Sequence, residues 1–482
     1  MVSFYLSLIV LVAGYFIYGT FTEKVFGIDP GRRTPALTHA DGIDYIPLPW
    51  WKIFLIHFLN IAGLGPIFGA IMGIMFGPAA FLWIVFGTLL GGAVHDYMSG
   101  MLSIRRGGAS LPEIIGEELG TPVKHTMRGF SVLLMILVGA VFVAGPAELL
   151  TNLTRNAIPM NGWITIIFIY YILATLLPID KLIGKLYPLF GLALLFMAVG
   201  ILFAIIFNGV PVPEITGGLQ SRHPDGLPVF PMMFISIACG AISGFHATQS
   251  PLMARCLQNE KLGRRVFYGA MVAEGIVALI WAAAASGFFG SLEALNEFAA
   301  AHKNNAAVIV DRISKDWLGV TGGILAMLGV IAAPLTSGDT ALRSARLIVA
   351  DFLQLKQKSI RSRLVISVPV FILAILLLQM DFSVLWRYFA WCNQTLAVFT
   401  LWAVTVYLAK NRKFYWISLL PALFMTAVSV SYILYAPEGL KLSYSTALAG
   451  GAVATLLSAT GFSYYLSKRK EITVPEIRNP IN

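Results

Sequence analysis

Apolar runs of about 20 residues, the length of helix that crosses a bilayer, recur from residue 2 to residue 466 with short polar linkers between them. In hydrocarbon every backbone N–H and C=O must be paired internally, which leaves helices or a closed barrel, and continuous runs of this length fit helices. With 57% hydrophobic and 12% charged residues in 482, and a mean hydropathy of +0.78, the chain reads as an all-α polytopic membrane protein. Thirteen transmembrane helices are expected, near 2–19, 53–77, 79–102, 130–150, 163–178, 188–207, 230–252, 266–289, 319–342, 364–380, 384–408, 414–435 and 443–466. The first lacks a basic leader region and a clear cleavage site, so it reads as a retained helix.

The net charge of +10 does not indicate nucleic acid, because the basic residues lie in short clusters between apolar runs and no basic domain is present. Assigned to alternate sides of the thirteen helices, 27 of the 34 Lys and Arg residues fall on one side and 7 on the other. Positive-inside bias then puts the N-terminus outside and the C-terminal tail in the cytoplasm. Cys239, Cys256 and Cys392 have neither metal-ligand spacing nor an even count, so neither a disulfide framework nor a zinc site is expected.

Setting aside the first helix and the last two leaves ten, which divide into five and five. Five is odd, so the second set is inverted relative to the first. In both sets a long linker follows the second helix, 27 residues at 103–129 and 29 at 290–318, each with an amphipathic helical pattern. The expected units are a peripheral helix and loop (1–52), a first repeat (53–207), a second repeat (228–409) and two peripheral helices with a tail (410–482).

The leading helix of each repeat is interrupted. In HFLNIAGLGPIFGAIMGIMFG, residues 57–77, Gly63, Gly65 and Pro66 fall near the middle, and glycine recurs at Gly65, Gly69, Gly73 and Gly77, a bare stripe for close packing. The second, 228–251, carries Gly240, Ser243, Gly244 and His246 inside and Pro251 toward its end. Paired interruptions at matching positions of inverted halves point to a transporter site near the midplane. Proline suits a first helical position, so GLG-Pro reads as loop and restart, whose free amides can hold a carboxylate; the plainer reading is a kinked helix with glycines for packing.

Polar side chains at this depth are candidates for the site or for bonds between helices. Asn60, Gly63, Gly65, Pro66, Gly240, Ser243, His246 and Gln249 are the substrate-binding candidates, with His246 alternatively a proton carrier. Thr336, Ser337 and Asp339, in PLTSGDT, offer hard oxygens for sodium or a proton acceptor; alternatively Asp339 pairs with Arg343 and the hydroxyls bond to their own helix. His95 and Asp96 form a proton relay or an inner gate beside Arg105 and Arg106. Asn393 and Gln394 line the cavity or, preferably, join helices. Lys181 and Lys185 are expected to snorkel. The sequence contains no P-loop, HExxH or GxSxG pattern, so neither nucleotide-driven pumping nor a familiar intramembrane hydrolase is signalled.

The block at 57–120, from HFLNIAGLG to EIIGEELG, resembles the signature of the carbon starvation protein A (CstA) family. GAISGFHATQSPLMARCL (240–257), PLTSGDTALRSARLIVAD (334–351) and WRYFAWCNQTLA (386–397) resemble its later blocks. The resemblance implies an inner-membrane carrier for peptides or for pyruvate, the latter by proton symport, with a fold similar to the amino acid-polyamine-organocation (APC) superfamily and its LeuT-like members. There the first and sixth core helices are broken around the substrate, and a cation site is often shared between the first and eighth, where a hydroxyl pair resembles Thr336 and Ser337. The expectation is an ion-coupled secondary transporter, not an enzyme. It needs no cofactor beyond a coupling proton or sodium ion, and its partners are a small-molecule or short-peptide substrate and the lipid bilayer, with no nucleic acid and no obligate protein partner. The reading from another class is a membrane sensor or intramembrane metal-dependent enzyme using His57, His95 and His246.

Overall fold

The computed structural model describes residues 1–472 except 177–182, 303, 356, 358 and 381. Lys181, expected to snorkel, and residues 473–482 of the tail lie outside the described residues. Among the described residues the chain is helical, with no strand. The first part holds α1 (Val2–Phe26), α2 (Trp50–Ala62), α3 (Gly65–Ile74), α4 (Ala79–Arg105), α5 (Leu111–Leu119), α6 (Thr121–Leu153), α7 (Met160–Leu176) and α8 (Ile183–Asn208). The second part holds α9 (229–236), α10 (Gly244–Ala254), α11 (Glu260–Phe288), α12 (Leu292–Ala301) and α13 (Ala306–Leu353), then α14 (Ile360–Leu377), α15 (Phe382–Lys410), α16 (Trp416–Tyr435) and α17 (Tyr444–Ile472).

Nine of the described helices are long and apolar enough to cross a membrane, and the bent pair α2–α3 makes a tenth. The expected count of thirteen is larger. The difference lies in α7, which has 17 residues, in the broken pair α9–α10, and in α13.

Both expected interruptions are present. Helix α2 ends at Ala62, Gly63 takes φ +44°, a value that suits glycine, and α3 restarts at Gly65 at 52° to α2. The second gap runs from Ile237 to Ser243, so His246 and Gln249 stand on the first turns of α10 and not within the break. The long linkers fold as their amphipathic patterns predict, into α5 and α12, and Ser291 caps α12 by accepting from the Ala294 N–H at 3.1 Å. Gly319, at φ +62°, divides the N-terminal stretch of α13 from its apolar continuation.

Burial separates an inner bundle from a lipid-facing ring. The apolar windows of α4, α6 and α11 are each 83% buried, against 28% for α1 and 17% for α17. Helix α13 packs along α6 and α8, and α10 packs on α4, α15 and α2. The two broken helices therefore lie inside the bundle, where freed backbone groups meet protein and not lipid.

Candidate functional site

The glycine stripe explains how the two breaks meet. A β-carbon on Gly65 would lie 2.1 Å from Cys239 Cβ, one on Gly69 2.8 Å from the Ser236 carbonyl oxygen, and one on Gly73 2.0 Å from Ile237 Cγ1. Only a bare backbone on α3 permits the end of α9 to approach this closely.

Backbone groups released by the second break are taken up by side chains from neighbouring helices. From α4, Trp83 Nε1 donates to the Ile237 carbonyl at 3.3 Å and Thr88 Oγ1 to the Gly240 carbonyl at 3.2 Å. From α15, Gln394 Nε2 donates to the Ile242 carbonyl at 3.0 Å. Asn393 Oδ1 accepts from Ser243 Oγ at 2.9 Å and from the Phe245 N–H at 2.6 Å, capping the restart of α10 from another helix. Of the two sequence readings for Asn393 and Gln394, the geometry is that of joining helices. At the first break, Ser337 Oγ donates to the Leu59 carbonyl at 3.1 Å and to Ala333 O at 2.9 Å, which ties α13 to the end of α2.

The titratable groups converge on α10. His246 Nδ1 lies 2.9 Å from Asp96 Oδ2, and Asp96 Oδ1 lies 2.7 Å from His95 Nδ1. On its other side, His246 Nε2 lies 3.5 Å from Glu274 Oε2, a carboxylate of α11. All four side chains are fully buried. Asp96 thus faces the second broken helix and not the basic loop: Arg105 pairs with Glu260 at 3.1 Å, and Arg106 with Glu117 and Glu118. An ionised Asp96 can accept from both Nδ1–H groups, whereas His246 Nε2 and Glu274 make no hydrogen bond among the described residues and attract each other as an ion pair when the ring is protonated. Chemically the array can hold a variable number of protons around one imidazole.

The remaining candidates divide. Asn60, at the end of α2, has no hydrogen-bond partner for either side-chain atom among the described residues, and neither has either ring nitrogen of His57, whose ring meets Phe267 edge-on at 5.2 Å. Gln249 Nε2 donates to Thr248 Oγ1 at 3.0 Å and Ser344 Oγ at 3.3 Å, while its Oε1 has no partner among the described residues. Thr336 Oγ1 bonds its own helix at Ala333 O, 2.8 Å away. Asp339 Oδ2 accepts from Tyr187 on α8 at 2.6 Å. The Thr336 and Ser337 hydroxyls thus meet at one carbonyl, Ala333 O, while Asp339 bonds a different helix. Glu274 is absent from the sequence-derived candidates, although it is the one acidic residue between 266 and 289.

Among the described residues no group of three or more His, Cys, Asp or Glu has metal-holding geometry; His57, His95 and His246 do not form one. Two apolar cavities, of 470 and 630 Å³, lie at the bundle surface, one against Trp83, Phe234 and Phe424 and the other against Tyr15, Trp50 and Phe54. None of the candidate polar residues lines either, and all of those residues are buried, so the site is closed in this conformation.

Residues 1–160, 151–323 and 306–432 match the family described as carbon starvation protein CstA. An uncharacterized membrane protein of Haemophilus influenzae is 43% identical over 347 residues, 62% of this chain and 94% of that one. The pyruvate/proton symporter BtsT of Escherichia coli is 31% identical over 345 residues, 58% of this chain and 48% of that one. The peptide transporter CstA of Bacillus subtilis is 31% identical over 349 residues, 58% of this chain and 57% of that one. The chain thus matches about half the length of these named transporters. Among solved structures, a manganese transporter of Eremococcus coleocola aligns with a TM-score of 0.51 at 14% identity, covering 89% of this chain and 97% of that one. MhsT in complex with L-phenylalanine aligns with a TM-score of 0.51 at 16% identity, covering 85% and 98%. At such identities the likeness shows the fold alone, which is LeuT-like.

Proposed function

The chain belongs to the carbon starvation protein CstA family, a family of membrane transporters and not of enzymes, and from that premise we propose that it imports a carboxylate-bearing substrate by proton symport. The substrate class is a small carboxylate such as pyruvate, or a short peptide through its C-terminus. It would bind between the breaks, with the restart at Pro66 receiving the carboxylate and Asn60, Ser243, His246 and Gln249 around it. Residues 53–207 and 228–409 would be the two inverted repeats that rock against each other in an inner membrane, with the N-terminus outside.

The observation that carries this reading is the buried array His95–Asp96–His246–Glu274, with His246 on the first turn of α10. Buried titratable groups within a membrane domain are expensive and mark ion or proton paths. Substrate and ion sharing one broken helix is the arrangement that alternating access needs if each is to affect the other's affinity.

The test is uptake of labelled pyruvate and of di- and tripeptides into proteoliposomes, with proton and sodium gradients imposed separately. A proton gradient should drive accumulation of one of these substrates. In Glu274→Gln, accumulation should collapse to the equilibrium level while substrate counterflow persists. Accumulation driven by sodium alone, or by neither gradient, would overturn the proposal.

A further inference from the structure

Two of the largest fully buried side chains in the molecule are arginines, Arg343 and Arg346, one and two turns beyond Asp339 on α13. The loop that joins α1 to α2 reaches them. Asp41 Oδ1 accepts from the backbone N–H groups of Ile43, Asp44 and Tyr45 at 2.8, 3.0 and 2.9 Å, which folds this loop into a compact turn. Tyr45 then donates to the Gly107 carbonyl at 3.1 Å with the Arg255 guanidinium over its ring, and the Leu48 N–H donates to the Cys256 carbonyl at 3.1 Å. So anchored, the turn places Asp44, only 3% exposed, against α13.

The fit there is loose. Asp44 Oδ1 is 3.5 Å from Arg343 Nη1 and 3.7 Å from Arg346 Nη2, near enough for ion pairing and too far for hydrogen bonds. Arg346 Nη1 reaches Gln357 Oε1 at 3.3 Å, whereas its Nε and Nη2 have no hydrogen-bond partner among the described residues. A fully buried guanidinium with two open donors in its rigid fork matches a planar carboxylate placed closer than Asp44 is. The position is also connected to the candidate binding residues, because Ser344, between the two arginines, receives the Gln249 side chain and donates to Thr248 O at 3.3 Å.

We infer that Arg343 and Arg346 form a second carboxylate site, which Asp44 occupies while the loop is docked and which a substrate carboxylate takes when the loop withdraws. The inference rests on the carboxylate-carrier reading for its natural ligand. It gives Asp44 the part of a tethered stand-in: the ion pair that shuts this end is of the same chemistry as the cargo, so arriving substrate competes with the latch instead of being blocked by it.

Cys256, fully buried behind the loop, reports on the latch without any transport. The full chain in lipid nanodiscs, with Cys239→Ala and Cys392→Ala, is exposed to an impermeant maleimide. Asp44→Ala should raise the rate of Cys256 labelling by about tenfold as the open fraction grows. Acetate at tens of millimolar, against chloride at equal ionic strength, should return that rate toward the parent value. In Asp44→Ala with Arg346→Gln, acetate should have no effect. Asp44→Asn, which keeps the shape of the side chain, should show the same acetate sensitivity and serves if the alanine variant does not fold. Unchanged labelling in a folded Asp44 variant, or acetate protection that survives Arg346→Gln, would overturn the inference. Acetate protection in a protein that transports no carboxylate would leave this site standing and remove the transport reading instead.

Discussion

Substituting Gly65 with alanine tests the contact between the two breaks most directly. The added methyl would stand 2.1 Å from Cys239 Cβ and 2.6 Å from its sulfur. A β-carbon cannot swing aside as the end of a long side chain can, so the backbones themselves must part. Moving from 2.1 Å to the 3.4 Å of ordinary contact takes a shift of about 1.3 Å, in a core close-packed enough to transmit it. Overpacking of this kind costs roughly 1–3 kcal/mol of stability. A misplacement of ~1 Å at a site where groups must be positioned can lower turnover by about 100-fold. Gly65→Ala should therefore lower the unfolding temperature in detergent moderately and uptake severely. Cys239→Gly removes the opposing Cβ, so the double variant should recover much of both, giving a coupling energy opposite in sign to the single losses. If Gly65→Ala transports and melts like the parent, or if Cys239→Gly fails to rescue it, the breaks are not packed face to face and the site built on them is wrong.

Two further substitutions separate capping from coupling. Asn393→Ala leaves the Phe245 N–H and the Ser243 hydroxyl without their acceptor, and should cost about 1–3 kcal/mol in thermal or denaturant unfolding; Asn393→Asp, which keeps an acceptor, should cost less. Ser337→Ala removes the bond to the Leu59 carbonyl and should cost about 1 kcal/mol with a shift in substrate affinity, whereas Thr336→Ala, which loses only a bond within its own helix, should cost about as much and leave substrate affinity unchanged.

The broken helices are legible in the sequence because glycine and proline together inside an apolar run disfavour a continuous helix, and Gly63 and Pro66 stand at the first break and restart. The stripe at Gly65, Gly69 and Gly73 announces a close neighbour without saying which. That the neighbour is the second break, some 170 residues later, depends on topology. The same limit hides the charge array. Asp96 and His246 are each visible as costly intramembrane residues, yet their pairing across 150 positions leaves no local trace. Glu274 shows in the sequence only as a lone charge in an apolar run, and nothing beside it names a partner. Asp44 gives no signal at all, because an aspartate in a polar loop is ordinary until the loop is seen to dive into the bundle. Thr336, Ser337 and Asp339 read in the sequence as one cluster of oxygens; in the structure the two hydroxyls meet at Ala333 O while Asp339 bonds Tyr187, 152 positions away, a partner that adjacency along the chain does not name.

The array and the break are mechanically one unit. Helix α4 supplies Trp83 and Thr88 to the carbonyls of the second break, and, about two turns beyond Thr88, Asp96 to His246. Helix α11 supplies Glu274 to the opposite side of the same imidazole. On the proposed mechanism a proton added at His246 turns it into a cation bracketed by two carboxylates, which holds α10 against α4 and α11. Its loss leaves two carboxylates facing a neutral ring, and the fit favours separation. Protonation then biases the same movement that substrate binding at the break must bias. By linkage, whatever factor the proton contributes to substrate affinity, the substrate must contribute to proton affinity. The coupling therefore predicts its own reciprocal: substrate binding to detergent-solubilised protein should take up protons from a weakly buffered medium, and Glu274→Gln should reduce that uptake.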